Sequence, residues 1–247
     1  MPRERRAVIA NTVSVASLLV ISVVTVWAVA GTGPARSNWI RTGAGMAPVA
    51  LTDAAALGNP AAPVALIVFS DFQCPYCRAF ALGTLPAVIE RYVRPGKVLV
   101  AFRHFPLDIH SDARRAAEFA ECARRKGRFW ELHDAIFRNT SGFKGDWLAS
   151  VAATAGMPSS FFADCPSAAA VERINQDIAL GAVLEATSTP TLLIGPIGSD
   201  RTVRIARVLK GASTPEAVGD AIDTVLGRTP QRGKDAAEPV TNGGRDE

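Results

Sequence analysis

Histidine and cysteine are both scarce in this 247-residue chain, at three and four residues. The imidazoles His104, His110 and His133 are isolated, and none is assigned to a metal. Net charge is small as well: 27 Lys and Arg stand against 23 Asp and Glu, giving +4. Arg3, Arg5 and Arg6 less Glu4 supply +2 of this, and the last twenty residues balance at four of each sign, so the chain between holds only +2. Such a mild field gives no ground for a nucleic-acid partner. The one dense basic patch, Arg124-Arg125-Lys126 with Arg128, reads as the solvated end of a helix, where cations are favoured. No internal repeat is evident.

Between Ala7 and Ala30 charge is missing altogether, over 24 residues rich in Val, Ala, Leu and Ile. As a helix this run is about 36 Å long, enough to cross a bilayer core with some tilt. The basic flank precedes it, so the N-terminus is expected in the cytoplasm and everything after Gly31 outside. Ala28-Val29-Ala30 also reads as a cleavage site. The run is longer than a signal core of about 7–15 residues, which favours an uncleaved anchor over a removed signal peptide.

Gly31 to about Pro63 is rich in Ala, Gly and Pro and reads as a linker. Val64–Phe69 and Val98–Phe102 are short apolar runs, as expected of strands buried on both faces, with a helical segment between them to about Arg94 despite Pro86. Ser111 is placed to cap a helix whose alanines 113, 116, 117, 120 and 123 share a face, with Gly127 as its stop. Phe129, Trp130, His133, Ile136 and Phe137 form the apolar face of a second helix, making His133 a core or interface residue. Helical patterns continue over Trp147–Ala155 and Ser167–Glu185. Thr191–Ile194 and Thr202–Leu209 then read as strands, and Thr214-Pro215 opens a last helix to about Leu226. The order is an α/β core interrupted by a helical subdomain.

Cys74-Pro75-Tyr76-Cys77 falls where the first strand hands over to a helix. At this spacing the two sulfurs lie one helical turn apart and can close a small disulfide ring. Cys74 meets the unpaired N–H groups and positive dipole end of the helix, which stabilise a thiolate. Pro75 suits the first turn, where its missing N–H is no loss. A lowered thiol pKa makes Cys74 both the attacking sulfur and the better leaving group, with Cys77 resolving the mixed disulfide. The same spacing is also half of a zinc site, but Cys122 and Cys165 are single and far apart. A purely structural bridge is disfavoured because short loops constrain the unfolded chain least. Thr189-Pro190 precedes the third strand, and its peptide bond is a candidate for the cis isomer that would present the Thr189 backbone to a substrate peptide. Export and the even count favour a structural disulfide between Cys122 and Cys165, against two buried thiols; closing that loop contributes roughly 4 kcal/mol in the chain-entropy model.

Phe69–Cys77, Arg103-His104-Phe105-Pro106-Leu107, Cys122-Ala123, Gly127–Asp134 and Ser188–Thr191 together resemble the DsbA-like thioredoxin-fold family, in its membrane-anchored bacterial form. The similarity runs from about Leu57 to Leu226. It implies a thioredoxin fold with an inserted helical domain that donates disulfides to unfolded or reduced exported proteins. It also implies an integral-membrane, quinone-linked partner that reoxidises Cys74 and Cys77. No cofactor is implied. The organisation expected is a cytoplasmic stub over 1–6, one transmembrane helix over 7–30, a linker over 31–56, the redox domain over 57–227 with its insert at about 108–186, and a disordered tail over 228–247. One position departs from the relatives. Where they carry a buried acid six residues before the first cysteine, this chain has Val68, and the nearest acid is Asp71. Asp71 either takes over proton handling or caps the turn. The motif leaves a disulfide reductase or isomerase, or a peptide-binding chaperone without turnover, as rival readings of a disulfide oxidase.

Overall fold

The computed structural model describes residues 40–42, 45–163, 165 and 167–227. The apolar run 7–30 and the tail 228–247 lie outside the described residues, and among the described residues no helix is long and apolar enough to cross a membrane.

Three short strands, β1 (Ile40–Thr42), β2 (Val49–Ala50) and β3 (Ala55–Leu57), precede β4 (Val64–Ser70). A helical stretch follows: α1 (Pro75–Ala79), a π turn over Phe80–Thr84, α2 (Leu85–Val88) and a second π turn over Ile89–Val93. Pro86 has no N–H for the carbonyl one turn back, and the helix widens just before it. β5 (Val98–His104) leads into the insert, made of α3 (Ala113–Arg125), α4 (Phe129–Arg138), α5 (Trp147–Thr154), a 3-10 turn (Ser159–Phe162) and α6 (Ala168–Val183). The chain returns through β6 (Thr191–Pro196), β7 (Thr202–Val203), β8 (Arg207–Lys210) and α7 (Pro215–Val225).

The main sheet has six strands in the order β1-β8-β6-β4-β5-β3, with β4 and β5 parallel and the other pairs antiparallel. β4 and β5 are wholly buried, as their unbroken apolar runs require. Strand alternation divides them between two cores. Val64, Leu66 and Val68 pack with the 75–93 helical stretch and with Val218 and Ile222 of α7. Ala65, Ile67 and Phe69 face the other way, toward Leu184 at the end of α6 and Val49 of β2. Each such side chain withdrawn from water contributes about 1.5–3 kcal/mol, so the sheet is a rigid platform. A third core belongs to the insert, where Phe119, Leu132, Ile136 and Val151 pack around Phe72 and Phe102.

Three expectations require correction. The segment read as a linker over 31–56 contains β1, β2 and most of β3. These strands are too short to show alternation, and backbone pairing to β8, β7 and β5 rather than any side-chain pattern defines them. The strand read as Thr202–Leu209 is two strands, because Thr202 and Val203 pair with β2 in a separate two-stranded sheet while Arg207–Lys210 joins β6. Ser111 does not cap α3: its hydroxyl donates to Asp112, and the helix starts without a side-chain cap. Ser167 and Thr214 do cap α6 and α7, through the N–H groups of Ala170 and Ala217.

Candidate active site

Cys74 is the extended residue immediately before α1, with Pro75 in the first turn. Both thiols are free and both residues buried, Cys74 at 4% exposure and Cys77 at 0%, while Tyr76 between them is 63% exposed. Access to the pair is therefore by way of Cys74. Its Sγ lies 3.5 Å from the carbonyl oxygen of Thr189, and the Thr189-Pro190 peptide bond is cis.

The two sulfurs differ sharply in acidity. A hydrogen bond from the Cys77 thiol, outweighing burial, together with the Thr189 side chain and the N–H groups of Cys77 and Tyr76, brings Cys74 from 9.0 down to about 5. The Thr189 hydroxyl is buried without a hydrogen-bond partner. Burial first, and then the neighbouring Cys74 sulfur, push Cys77 far up. The Cys77 sulfur accepts the backbone N–H of Asp71 at 3.4 Å. A thiolate beside a thiol is the arrangement thiol–disulfide exchange uses.

Asp71 is fully buried, and its carboxylate meets three backbone N–H donors and the His110 ring. Oδ1 accepts the N–H groups of Gln73 (2.7 Å) and Cys74 (3.2 Å); Oδ2 accepts the N–H of Leu107 (2.9 Å) and lies 2.7 Å from Nδ1 of His110. A carboxylate has about four acceptor sites, and here all are used. The two N–H groups on Oδ1 are the contacts of a turn cap. The Gln73 side chain adds a further tie by accepting the N–H of Asp112 at 2.8 Å. Val68 lies in the core between sheet and helix.

Phe72 anchors the same turn to the insert. Its ring stacks on Phe102 with centroids 5.4 Å apart and meets Phe137 at 5.2 Å and His133 edge-on at 5.9 Å. Arg78, one residue past the motif, donates to the carbonyls of Phe137 and Asn139 at the end of α4. His133 is buried as expected, with Nδ1 2.9 Å from Asp134, and burial lowers its pKa.

Buried charge also joins the insert to β5. Arg103 pairs with Asp177 of α6 at 3.0 Å, and Asp177 accepts the N–H of His104 as well. Glu121 of α3 holds Arg124 at 2.8 Å and lies 3.7 Å from Nε2 of His104. Burial works to raise the Glu121 pKa, but His104 and Arg124 leave it lowered on balance. Cys122 and Cys165 are bridged, with their Cα atoms 6.2 Å apart. Among the described residues no group of three or more His, Cys, Asp or Glu could hold a metal ion.

The sequence-derived site residues Asp71, Cys74, Cys77, Thr189 and Pro190 thus converge, while Cys122 and Cys165 form a separate bridge within the insert. Sequence reading alone leaves His110 isolated and passes over Phe72, Glu121 and Asp177. Both acids carried a signal. Glu121 lies one turn after Ala117 on the buried face of α3, and Asp177 falls on the α6 stripe of Ala170, Ile174 and Gly181. For Phe72 no local pattern existed.

The Thioredoxin family model matches residues 51–224. A Wolbachia pipientis protein, alpha-DsbA1, superposes with a TM-score of 0.64 at 24% identity, over 72% of this chain and 94% of that one, which shows a shared fold. The probable disulfide bond formation protein D of Bacillus cereus is 37% identical over 93 residues, 37% of this chain and 43% of that protein. The Na(+)/H(+) antiporter NhaA 3 of Salinispora tropica is 32% identical over 139 residues, 56% of this chain and 21% of the antiporter. This chain spans less than half the length of either curated relative. With the matched model extending from the two-stranded sheet to the end of α7, and a helical insert between β5 and β6, the chain belongs to the thioredoxin family in the DsbA-like form of its fold.

Proposed function

We propose that the chain is an exported protein disulfide oxidase working through Cys74 and Cys77. The observation that carries this is the pairing of a Cys74 thiol lowered to about 5 with a buried Cys77 thiol raised above its ordinary value. Stabilising the reduced form of a dithiol makes its disulfide a stronger oxidant. The Cys74 value lies between about 7 for thioredoxin and about 3.5 for a strongly oxidising relative.

In the forward reaction a substrate thiolate attacks Cys74 of the Cys74–Cys77 disulfide, because Cys77 is inaccessible. The bond between the two cysteines breaks, a substrate–Cys74 disulfide forms, and the Cys77 sulfur takes up a proton. A second substrate thiolate then attacks the substrate sulfur, releasing Cys74 as a thiolate. The substrate loses two electrons to the dithiol and gains a disulfide. Thr189, with its carbonyl beside Cys74, offers the backbone edge on which an extended substrate segment would lie. Asp71 is assigned to capping the turn. The reduced pair must be reoxidised, and the resemblance to anchored DsbA-like proteins favours an integral-membrane, quinone-linked partner.

Location belongs to the same proposal: a single anchor over 7–30, the N-terminus in the cytoplasm and the redox domain outside. The uncharged run with its basic flank supports this, as does the Cys122–Cys165 bridge, a type of cross-link that persists in oxidising compartments.

The decisive measurement is the equilibrium potential of the Cys74–Cys77 couple against glutathione, with oxidation of reduced ribonuclease A as the activity. An oxidase lies toward about −120 mV, whereas a value near about −270 mV identifies a reductase and overturns the reading.

A further inference from the structure

The loop between β5 and α3 touches the redox turn at points that the exchange chemistry does not itself require. Besides the Leu107 N–H, it brings the His110 ring to 2.7 Å from Asp71 Oδ2. An ionised carboxylate only accepts, so its 2.7 Å contact with His110 is a hydrogen bond in the tautomer that carries the hydrogen on Nδ1. The same aspartate lies on both sides of the dithiol. Its side chain accepts the N–H of Cys74, and its backbone N–H donates to the sulfur of Cys77.

We propose that His110 is a positioning residue for the Cys74–Cys77 pair, its Nδ1–H holding and screening the Asp71 carboxylate that caps the turn. This rests on the reading of Cys74 and Cys77 as the redox couple and adds a group that tunes it. A carboxylate beside a forming thiolate disfavours the thiolate, and a donor on the carboxylate spreads that charge away from the sulfur. Without His110 the oxygen would lose one of its two partners and could turn toward the turn N–H groups and the sulfur. The reduced form would then be less stable and its disulfide a weaker oxidant.

The test measures two quantities in the full chain: the pH midpoint of Cys74 thiolate absorbance and the equilibrium constant with glutathione. His110→Ala is expected to raise the thiolate midpoint by about one pH unit and shift the glutathione equilibrium about tenfold toward the disulfide. His110→Asn, whose amide N–H can occupy the place of Nδ1–H, is expected to stay within about threefold of the unaltered chain. In an Asp71→Asn background His110→Ala should change neither quantity. No change from His110→Ala alone, or an equal change in both backgrounds, overturns the proposal. If His110→Ala fails to fold, imidazole nitrogen spectra of the unaltered protein decide: Nδ1 must bear a proton, and its resonance must move between the reduced and oxidised dithiol. A bare Nδ1 overturns it. A chain that oxidises no thiol substrate defeats the oxidase reading, yet leaves the thiolate midpoints as a test of His110.

Discussion

Arg103 and Asp177 face each other at 3.0 Å with both side chains almost completely shielded, tying the central sheet to the last helix of the insert. Arg103 also donates to the carbonyls of Ala50 and Thr52, and Asp177 accepts from Arg173. A buried pair of this kind is most sensitive to loss of one partner, because the other is stranded. Asp177→Ala is therefore expected to destabilise the fold by about 3–5 kcal/mol, read as a shift in the urea midpoint. A loss below about 1 kcal/mol would show that water replaces the carboxylate at no great cost.

The thiols should titrate separately. Thiolate absorbance of the reduced protein is expected to rise through about 5 with the amplitude of one sulfur, and Cys77→Ala should retain that single step at a raised midpoint, since the Cys77 thiol is the largest stabilising partner of Cys74. Because the Cys74 pKa is lowered on folding, its contribution to the stability of the reduced form is complete above the unfolded value and is lost as pH falls through the folded one. The reduced-minus-oxidised difference in Tm should accordingly grow between about pH 5 and pH 9. A flat difference would contradict a stabilised thiolate.

Thr189→Val removes a buried hydroxyl that has no hydrogen-bond partner and lowers the Cys74 pKa, while keeping the side chain's shape and the backbone. Its expected effect is a higher thiolate midpoint with little change in melting temperature. An unmoved midpoint would mean that the hydroxyl leaves the sulfur unaided.

Replacing Cys122 and Cys165 together by Ala opens a loop closed across a separation of 43 residues. The chain-entropy model expects a loss of roughly 4 kcal/mol on unfolding in denaturant. The thiolate midpoint of Cys74 should be unaffected, since the bridge is no part of the redox turn.

Much of this site is legible in the residues because short-range chemistry governs it. Cys74 at a helix start, Pro75 in the first turn and Thr189-Pro190 before a strand are local signals, and the strand runs at Val64 and Val98 place them on a common sheet. The unread parts depend on contacts between distant segments. β1 to β3 are strands because partners 43 or more residues away supply their hydrogen bonds. The contacts of Asp71 with Leu107 and His110, 36 and 39 residues on, leave no trace in its local sequence. Glu121 and Asp177 break the apolar period of their helices, which marks them as buried acids without naming their partners.

The separation of 115 residues between Cys74 and Thr189 bears on the order in which a nascent chain matures. Synthesis delivers the Cys-Pro-Tyr-Cys segment first, followed by the insert, and only then the threonine that helps hold the Cys74 sulfur as an anion. Until that residue arrives and β6 docks beside β4, Cys74 lacks one of the contacts that lower its pKa, while its largest partner, Cys77, is already in place. The long insert thus makes the Cys74 environment a late product of synthesis, complete only when a residue 115 positions downstream is in place.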